Sequence, residues 1–420
     1  AAGYYFPSGF GLAKGLTITY IALILLDILM LYNNSTQKIK AKRSVPEKLS
    51  NGDENIISIY LKNNFSFKIH LNIIDEIPFQ FQKRDFLIKR NLDAGDEVSI
   101  NYMLRPVKRG AYLFGNLNLY VSTIIGFVER RFTFDNEAEV AVYPSFIQMR
   151  KYELMAVSNR LTEAGIKKIR KISNNVEFEQ IRTYVAGDDY RLVNWKASAR
   201  KITLMVNQYQ DEKAQRIYSI IDMGRTMKMP FNNMSLLDYA VNSALVISNI
   251  AIYKQDKAGI ITFDRKIRSM VPAERKNNQM NQISEVLYRQ ETNFDESDFN
   301  IVYTTVKRKI PQRSLLLIYT NFEGLISLER QLQYFKQLAK SHLVTVIFFD
   351  NTEIKSIRNI RPKDSEEVYI KTIAEKYAYD KKMIVKELKR VGVHSVLTEP
   401  QNLTVDTINK YLEFKARGLI

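Results

Sequence analysis

At 420 residues the chain is too long for one hydrophobic core, which stops growing near roughly 250–300 residues, so two or three domains are expected. A composition of 45% hydrophobic and 25% charged residues excludes a disordered or fibrous chain, and the absence of Cys excludes disulfide frameworks, thiolate nucleophiles and zinc–thiolate sites. With three His there is no histidine metal cluster, and a formal charge of +17 attracts polyanions: nucleic acid, anionic lipid or an acidic protein face.

The N-terminal run Leu16–Tyr32 is almost wholly apolar and makes roughly 26 Å of helix. Extended back to Phe10 it is long enough for a hydrocarbon layer of about 30 Å. It therefore predicts a transmembrane helix, with Asp27 close enough to Tyr32 to gain relief at the interface. Lys38, Lys40, Lys42 and Arg43 follow it, against Lys14 before it, so the positive-inside rule puts the rest of the chain in the cytoplasm. The sequence begins Ala-Ala-Gly, and residues 1–37 are expected to form a membrane segment that reads as an incomplete hairpin.

Over residues 44–145 the pattern changes to period-two segments, such as Ile56–Leu61, Phe67–Ile74, Glu97–Leu104 and Ala138–Tyr143, separated by turns at Asn51-Gly52-Asp53, Asp93-Ala94-Gly95-Asp96 and Arg109-Gly110. That alternation predicts an all-β sandwich. Residues 146–212 form a connecting region rich in both charges. Its second half, Gly187–Arg200, reads as a helix N-capped by Asp188 or Asp189 with an apolar stripe at Leu192, Trp195 and Ala199. From 213 to 420, apolar strands alternate with amphipathic helices, among them Ser235–Tyr253, Ile326–Lys340 and Ser365–Val391. This predicts a doubly wound α/β domain.

In such a sheet ligands sit beyond the carboxyl ends of the strands, here at Asp222-Met223-Gly224-Arg225-Thr226. No GxGxxG or GxxxxGK[ST] is present, so a dinucleotide or P-loop site has no support. Asp222-x-Gly224-x-Thr226 resembles a degenerate D-x-S-x-S metal motif of von Willebrand factor type A domains. The resemblance implies further ligands at Thr292 or Ser297 and at Thr320-Asn321, with Asp222 and Thr226 as the candidate metal residues. Gly224 and Asn321 remove two oxygen ligands of the full motif, so no cofactor is expected beyond a weakly held Mg2+. In the alternative reading, Asp222 and Thr226 hydrogen-bond their loop and cap the next helix.

Between Val176 and Arg200 the chain resembles the signature of the domain-of-unknown-function 58 family, E-F-x-x-[IL]-R-x-Y-x-x-G-D-D-x-R-x-[IV]-x-W-x-x-[ST]-A-R. Glu177, Arg182, Gly187, Asp188, Asp189, Arg191, Trp195 and Arg200 stand at its positions. Supporting matches are Arg43-Ser44-Val45-Pro46, Arg109-Gly110-Ala111-Tyr112, Val142-Tyr143-Pro144 and Tyr411–Gly418. The resemblance implies a membrane-anchored protein at the inner membrane of a bacterium, with a von Willebrand A-like domain. It further implies a MoxR-type AAA+ ATPase as partner, an unnamed client, and no enzymatic activity.

The signature's acids and guanidinium groups suit either a structural lock against the α/β domain or a docking face. Trp195, at i+3 from Leu192 and i−4 from Ala199, is expected to place its indole in the domain junction. A competing reading of the +17 charge is a protein binding nucleic acid or anionic membrane through clusters such as Lys167-Lys168-Ile169-Arg170-Lys171. The basic residues are otherwise dispersed among acids, which disfavours nucleic acid. A metal-dependent hydrolase lacks an assembled set of ligands and base.

Overall fold

The computed structural model describes residues 7–32, 38–83, 85–157, 165–166, 177–210, 214–292, 295–359 and 362–420. The chain divides into two compact units, Ala1–Tyr143 and Pro144–Ile420.

The first unit opens with helix α1 (Pro7–Tyr32). Its segment Gly11–Tyr32 is long and apolar enough for a membrane anchor or signal sequence. Ten strands follow: β1 (Ile39–Ser44), β2 (Lys48–Ser50), β3 (Asn55–Asn63), β4 (Ile69–Asp75), β5 (Ile88–Leu92), β6 (Glu97–Leu104), β7 (Gly110–Phe114), β8 (Leu117–Ser122), β9 (Glu129–Phe134) and β10 (Ala138–Tyr143). They form the sheets β1-β3-β6, β2-β10-β7 and β5-β4-β8-β9. Period-two burial directs Ile59 and Leu61 of β3 toward Leu71 and Ile73 of β4 and Leu119 and Val121 of β8, and this shared core makes the unit sandwich-like. Burying each such side chain contributes about 1.5–3 kcal/mol. Leu31, at the end of α1, joins the same core.

Arg43 does not belong to the exposed basic cluster that follows α1. Its guanidinium is buried, pairing with Asp75 and donating to the carbonyls of Gly115, at 2.9 Å, and Asn136. The basic residues remaining next to the helix are Lys38, Lys40 and Lys42.

The second unit begins with α2 (Phe146–Val157), β11 (Glu177–Thr183), α3 (Trp195–Lys201) and β12 (Met205–Gln210). Next come β13 (Arg216–Asp222), the short hairpin β14 (Pro230–Phe231) and β15 (Met234–Ser235), and α4 (Leu236–Tyr253), whose N-terminus Ser235 and Asp238 close as a capping box. Strands β16 (Lys257–Phe263) and β17 (Ile267–Glu274) precede α5 (Gln279–Tyr288), α6 (Phe299–Lys309) and β18 (Leu315–Tyr319). Helix α7 (Leu325–Ala339), β19 (Leu343–Phe349), α8 (Thr352–Asn359), α9 (Ser365–Arg390), β20 (His394–Thr398) and α10 (Leu403–Ala416) complete the chain.

The main sheet runs β17-β16-β13-β18-β19-β20, parallel except for β17. Alternate residues serve two cores. Ile217 and Ile221 meet Val241, Leu245 and Tyr411 on one face, while Tyr218 and Ile220 meet Val302, Phe335 and Ile384 on the other. The sheet is thus covered by helices on both faces, the doubly wound arrangement. Tyr152 of α2 belongs to the first of these cores. The terminal motif is structural: Tyr411 Oη and Lys415 Nζ donate to the buried Asp256 carboxylate at 2.6 and 2.9 Å.

Candidate functional site

Strand order reverses on either side of β13, and ligand sites of doubly wound sheets lie beyond the strand ends at such a point. Ile221 of β13 stands opposite Tyr319 of β18, so the next residues, Asp222 and Thr320, emerge side by side at the carboxyl edge. Asp222 is buried. Its Oδ2 accepts from Thr320 Oγ1 at 2.6 Å, and its Oδ1 accepts from Gly224 N at 2.8 Å and from Ser297 Oγ. Burial raises its pKa and the nearby Asp264 adds to that, while the three donors oppose it.

The cleft over Asp222 is lined by Thr226, Ser297, Thr320 and Asn321, together with Arg225, Glu296, Glu323 and Arg330. Arg225 lies 3.6 Å from both Glu296 and Glu323 at the exposed rim. Of the two hydroxyls that the sequence left open, Ser297 takes the place beside Asp222. Gly224 is required by close approach, since a Cβ there would lie 2.1 Å from Ser297 Oγ.

Asn321, where a carboxylate would complete the metal motif, faces a cation that the sequence reading missed. Lys381 of α9 is buried, and its Nζ donates to Asn321 Oδ1 and to the Phe322 carbonyl, each at 2.8 Å. The rings of Tyr377 and Phe348 flank it at 5.1 and 5.5 Å. Burial pushes the ammonium down to about 7, against the attraction of Asp350. Its signal was positional: Lys381 shares the buried stripe of α9 with Ala374, Ile384 and Leu388.

These donors do not fit a tightly held divalent ion. Magnesium wants six oxygens in octahedral array. Here both oxygens of Asp222 are engaged, the Ser297 and Thr320 hydroxyls donate to them, and the Asn321 oxygen accepts from Lys381 Nζ. Among the described residues no three His, Cys, Asp or Glu side chains are grouped for a metal.

The signature forms a second site on β11 and β12, which pair antiparallel. Arg182 meets Asp188 in a bidentate pair, Nη1 to Oδ2 at 2.8 Å and Nη2 to Oδ1 at 2.6 Å, and Val185 N also donates to Oδ2 at 2.9 Å. These bonds hold the Asp188 carboxyl below its ordinary range, the Arg182 bond contributing most. Gly187, at φ +111°, makes the turn that brings Asp188 back toward Arg182.

The single helix expected over Gly187–Arg200 is broken in two. Asp189 Oδ1 accepts from Arg191 N at the start of a 3₁₀ turn, Tyr190–Leu192, and Asn194 then caps α3 by accepting from Ala197 N. Between them Val193 bridges to Val206 and Asn194 N donates to the Met205 carbonyl, so strand pairing with β12 interrupts the helix.

Trp195 thereby becomes the first residue of α3 and is 72% exposed, so the expected burial of its indole is incorrect. Tyr190 is similarly exposed at 71%, with the Arg191 guanidinium 5.8 Å from its ring centre, and Val185 and Leu204 are exposed nearby in the chain. Arg200 lies in the last turn of α3. The side chains of Glu177 and Glu179 and the cluster Lys167–Lys171 lie outside the described residues.

Residues 180–376 match the family described as "Protein of unknown function DUF58". The "Uncharacterized protein YeaD" of Bacillus subtilis (strain 168) is 22% identical over 211 residues, 49% of this chain and 51% of that protein. The match thus spans about half the length of that relative. Among solved structures, the ASH / PapD-like domain of human CEP192 is 10% identical with a TM-score of 0.18, covering 25% of this chain and 83% of that chain. The CARDB domain of PF1109 from Pyrococcus furiosus is 13% identical with a TM-score of 0.18, covering 25% of this chain and 94% of that chain.

Proposed function

We propose, on the premise that residues 180–376 belong to the DUF58 family, that this protein is a non-enzymatic adaptor or assembly factor anchored in a bacterial inner membrane by α1. Its second unit, von Willebrand A-like in strand order, engages a MoxR-type AAA+ ATPase from the cytoplasm. The exposed Lys40 and Lys42 that follow α1 support that orientation.

The observation that carries the reading is the exposure of Trp195 and Tyr190 beside Arg191 on the signature. Trp, Tyr and Arg dominate binding hot spots, and a large aromatic side chain left in water gives up burial that a partner would restore. Beneath it, the Arg182–Asp188 pair and the Asp189 and Asn194 caps hold the segment in one shape, so little order has to be gained on docking. The non-enzymatic reading is supported at the sheet apex, where three donors already engage Asp222 and leave it poorly placed to take a proton from a substrate.

The test is purification of the chain from its native membrane in mild detergent, with identification of what is retained. Retention of a MoxR-type ATPase by the native protein and its loss with Trp195→Ala support the proposal. Retention of nucleic acid in place of the ATPase favours the competing reading of the +17 charge.

A further inference from the structure

The loop joining β8 to β9, Thr123–Val128, runs along α1 from its C-terminal end toward its middle. At the end of the helix, Arg130 Nη1 donates to the Leu31 carbonyl at 2.8 Å and its guanidinium lies 4.3 Å from the Tyr32 ring centre. One turn further in, Phe127 N and Val128 N both donate to Asp27 Oδ2 at 2.9 Å. Beyond that, the Phe127 ring meets Tyr20 edge to face with centroids 5.3 Å apart. Leu31 to Tyr20 is about 16 Å along a helix at 1.5 Å per residue, half the length of the 22-residue apolar segment Gly11–Tyr32.

We propose that this loop enters the lipid bilayer beside α1 as a second membrane-inserted element, its apolar tip occupied by acyl chains. The proposal rests on reading α1 as membrane-spanning and adds a lipid contact made by the β-sandwich unit itself.

Irregular backbone is tolerated at membrane depth only where its polar groups are satisfied by protein. The loop meets that demand at its central donors. Thr123 Oγ1 donates to Asp27 Oδ1 at 2.5 Å and accepts from Ile125 N at 3.1 Å, while Asp27 Oδ2 takes the next two N–H groups. Asp27 is fully buried among these partners, which accounts for a carboxylate within an apolar helix.

The loop turns apolar surface outward. Ile124 is 68% exposed and Phe127 47%, and no charged residue occurs from Thr123 to Val128. This surface continues the exposed apolar face of α1, so the layer that covers the helix reaches the loop as well. Leu31, packed in the sandwich core, holds loop and helix in register.

Because the chain has no Cys, single cysteines can report position. Ile124→Cys, Leu16→Cys on α1 and Leu113→Cys, an exposed position on β7, are each labelled with an environment-sensitive fluorophore. The full chain is then reconstituted in phosphatidylcholine–phosphatidylglycerol vesicles carrying acyl-chain spin labels. The proposal predicts that labels at 124 and 16 lose fluorescence to the spin-labelled lipid and that the label at 113 does not. Quenching at 16 without quenching at 124 overturns the loop inference and leaves the membrane reading standing, whereas quenching at neither position overturns both. An unquenched label at 124 whose emission shifts to the blue as the protein-to-lipid ratio rises assigns the loop to a second copy of the chain and equally overturns the proposal.

Discussion

Lys381 donates from Nζ to the amide oxygen of Asn321 at 2.8 Å, so a buried amine that is cationic below about pH 7 adjoins the apex where a divalent ion would be sought. The contact commits Asn321 and sets the electrostatics beside the cleft.

Burial lowers the Lys381 pKa to about 7 from 10.5, so between these values the unfolded chain binds more protons than the folded one. Stability of the second unit should therefore rise with pH across that window. Lys381→Met should remove the rise, which urea titrations at pH 6, 8 and 10 measure. A wild-type slope that persists in the variant would assign it to other groups.

The pKa of Asp222 is raised, the opposite case for a carboxyl. Its contribution to stability is present below the unfolded value of 3.8 and is lost as pH rises through the folded value. The stability of Asp222→Asn relative to wild type should accordingly increase from acid to neutral pH. Calorimetry with magnesium on the native chain should give millimolar or weaker affinity, and micromolar binding abolished by Asp222→Ala would overturn the assignment of the donor set.

Gly224 and Ser297 test the same apex sterically. A Cβ at 224 falls 2.1 Å from Ser297 Oγ, so Gly224→Ser should displace the Ser297 hydroxyl from Asp222 and cost about 1–3 kcal/mol. Combining it with Ser297→Ala should recover part of that cost, measured as the shift in unfolding midpoint.

Strand and helix periodicity made most of the fold legible. The apolar runs of β13, β16, β18 and β19 and the helices between them fall where the pattern places them, and Asp222 lies at the strand end where a ligand site was sought. Strand β17 escaped because Arg268, on its exposed face, and Pro272 interrupt a hairpin edge, and the short β2 is too brief to show a period. Trp195 was misplaced because helical spacing was continued through Val193, where pairing to Val206 ends the turn. Lys381 was hidden because a basic residue in a charged helix ordinarily points to water, and only tertiary packing turns it inward.

The most direct test of the central claim compares Trp195→Ala with wild type in stability and in partner retention together. An exposed indole docking a partner predicts an unfolding free energy within about 0.5 kcal/mol of wild type and loss of ATPase association. Normal association by a stable Trp195→Ala chain would contradict it.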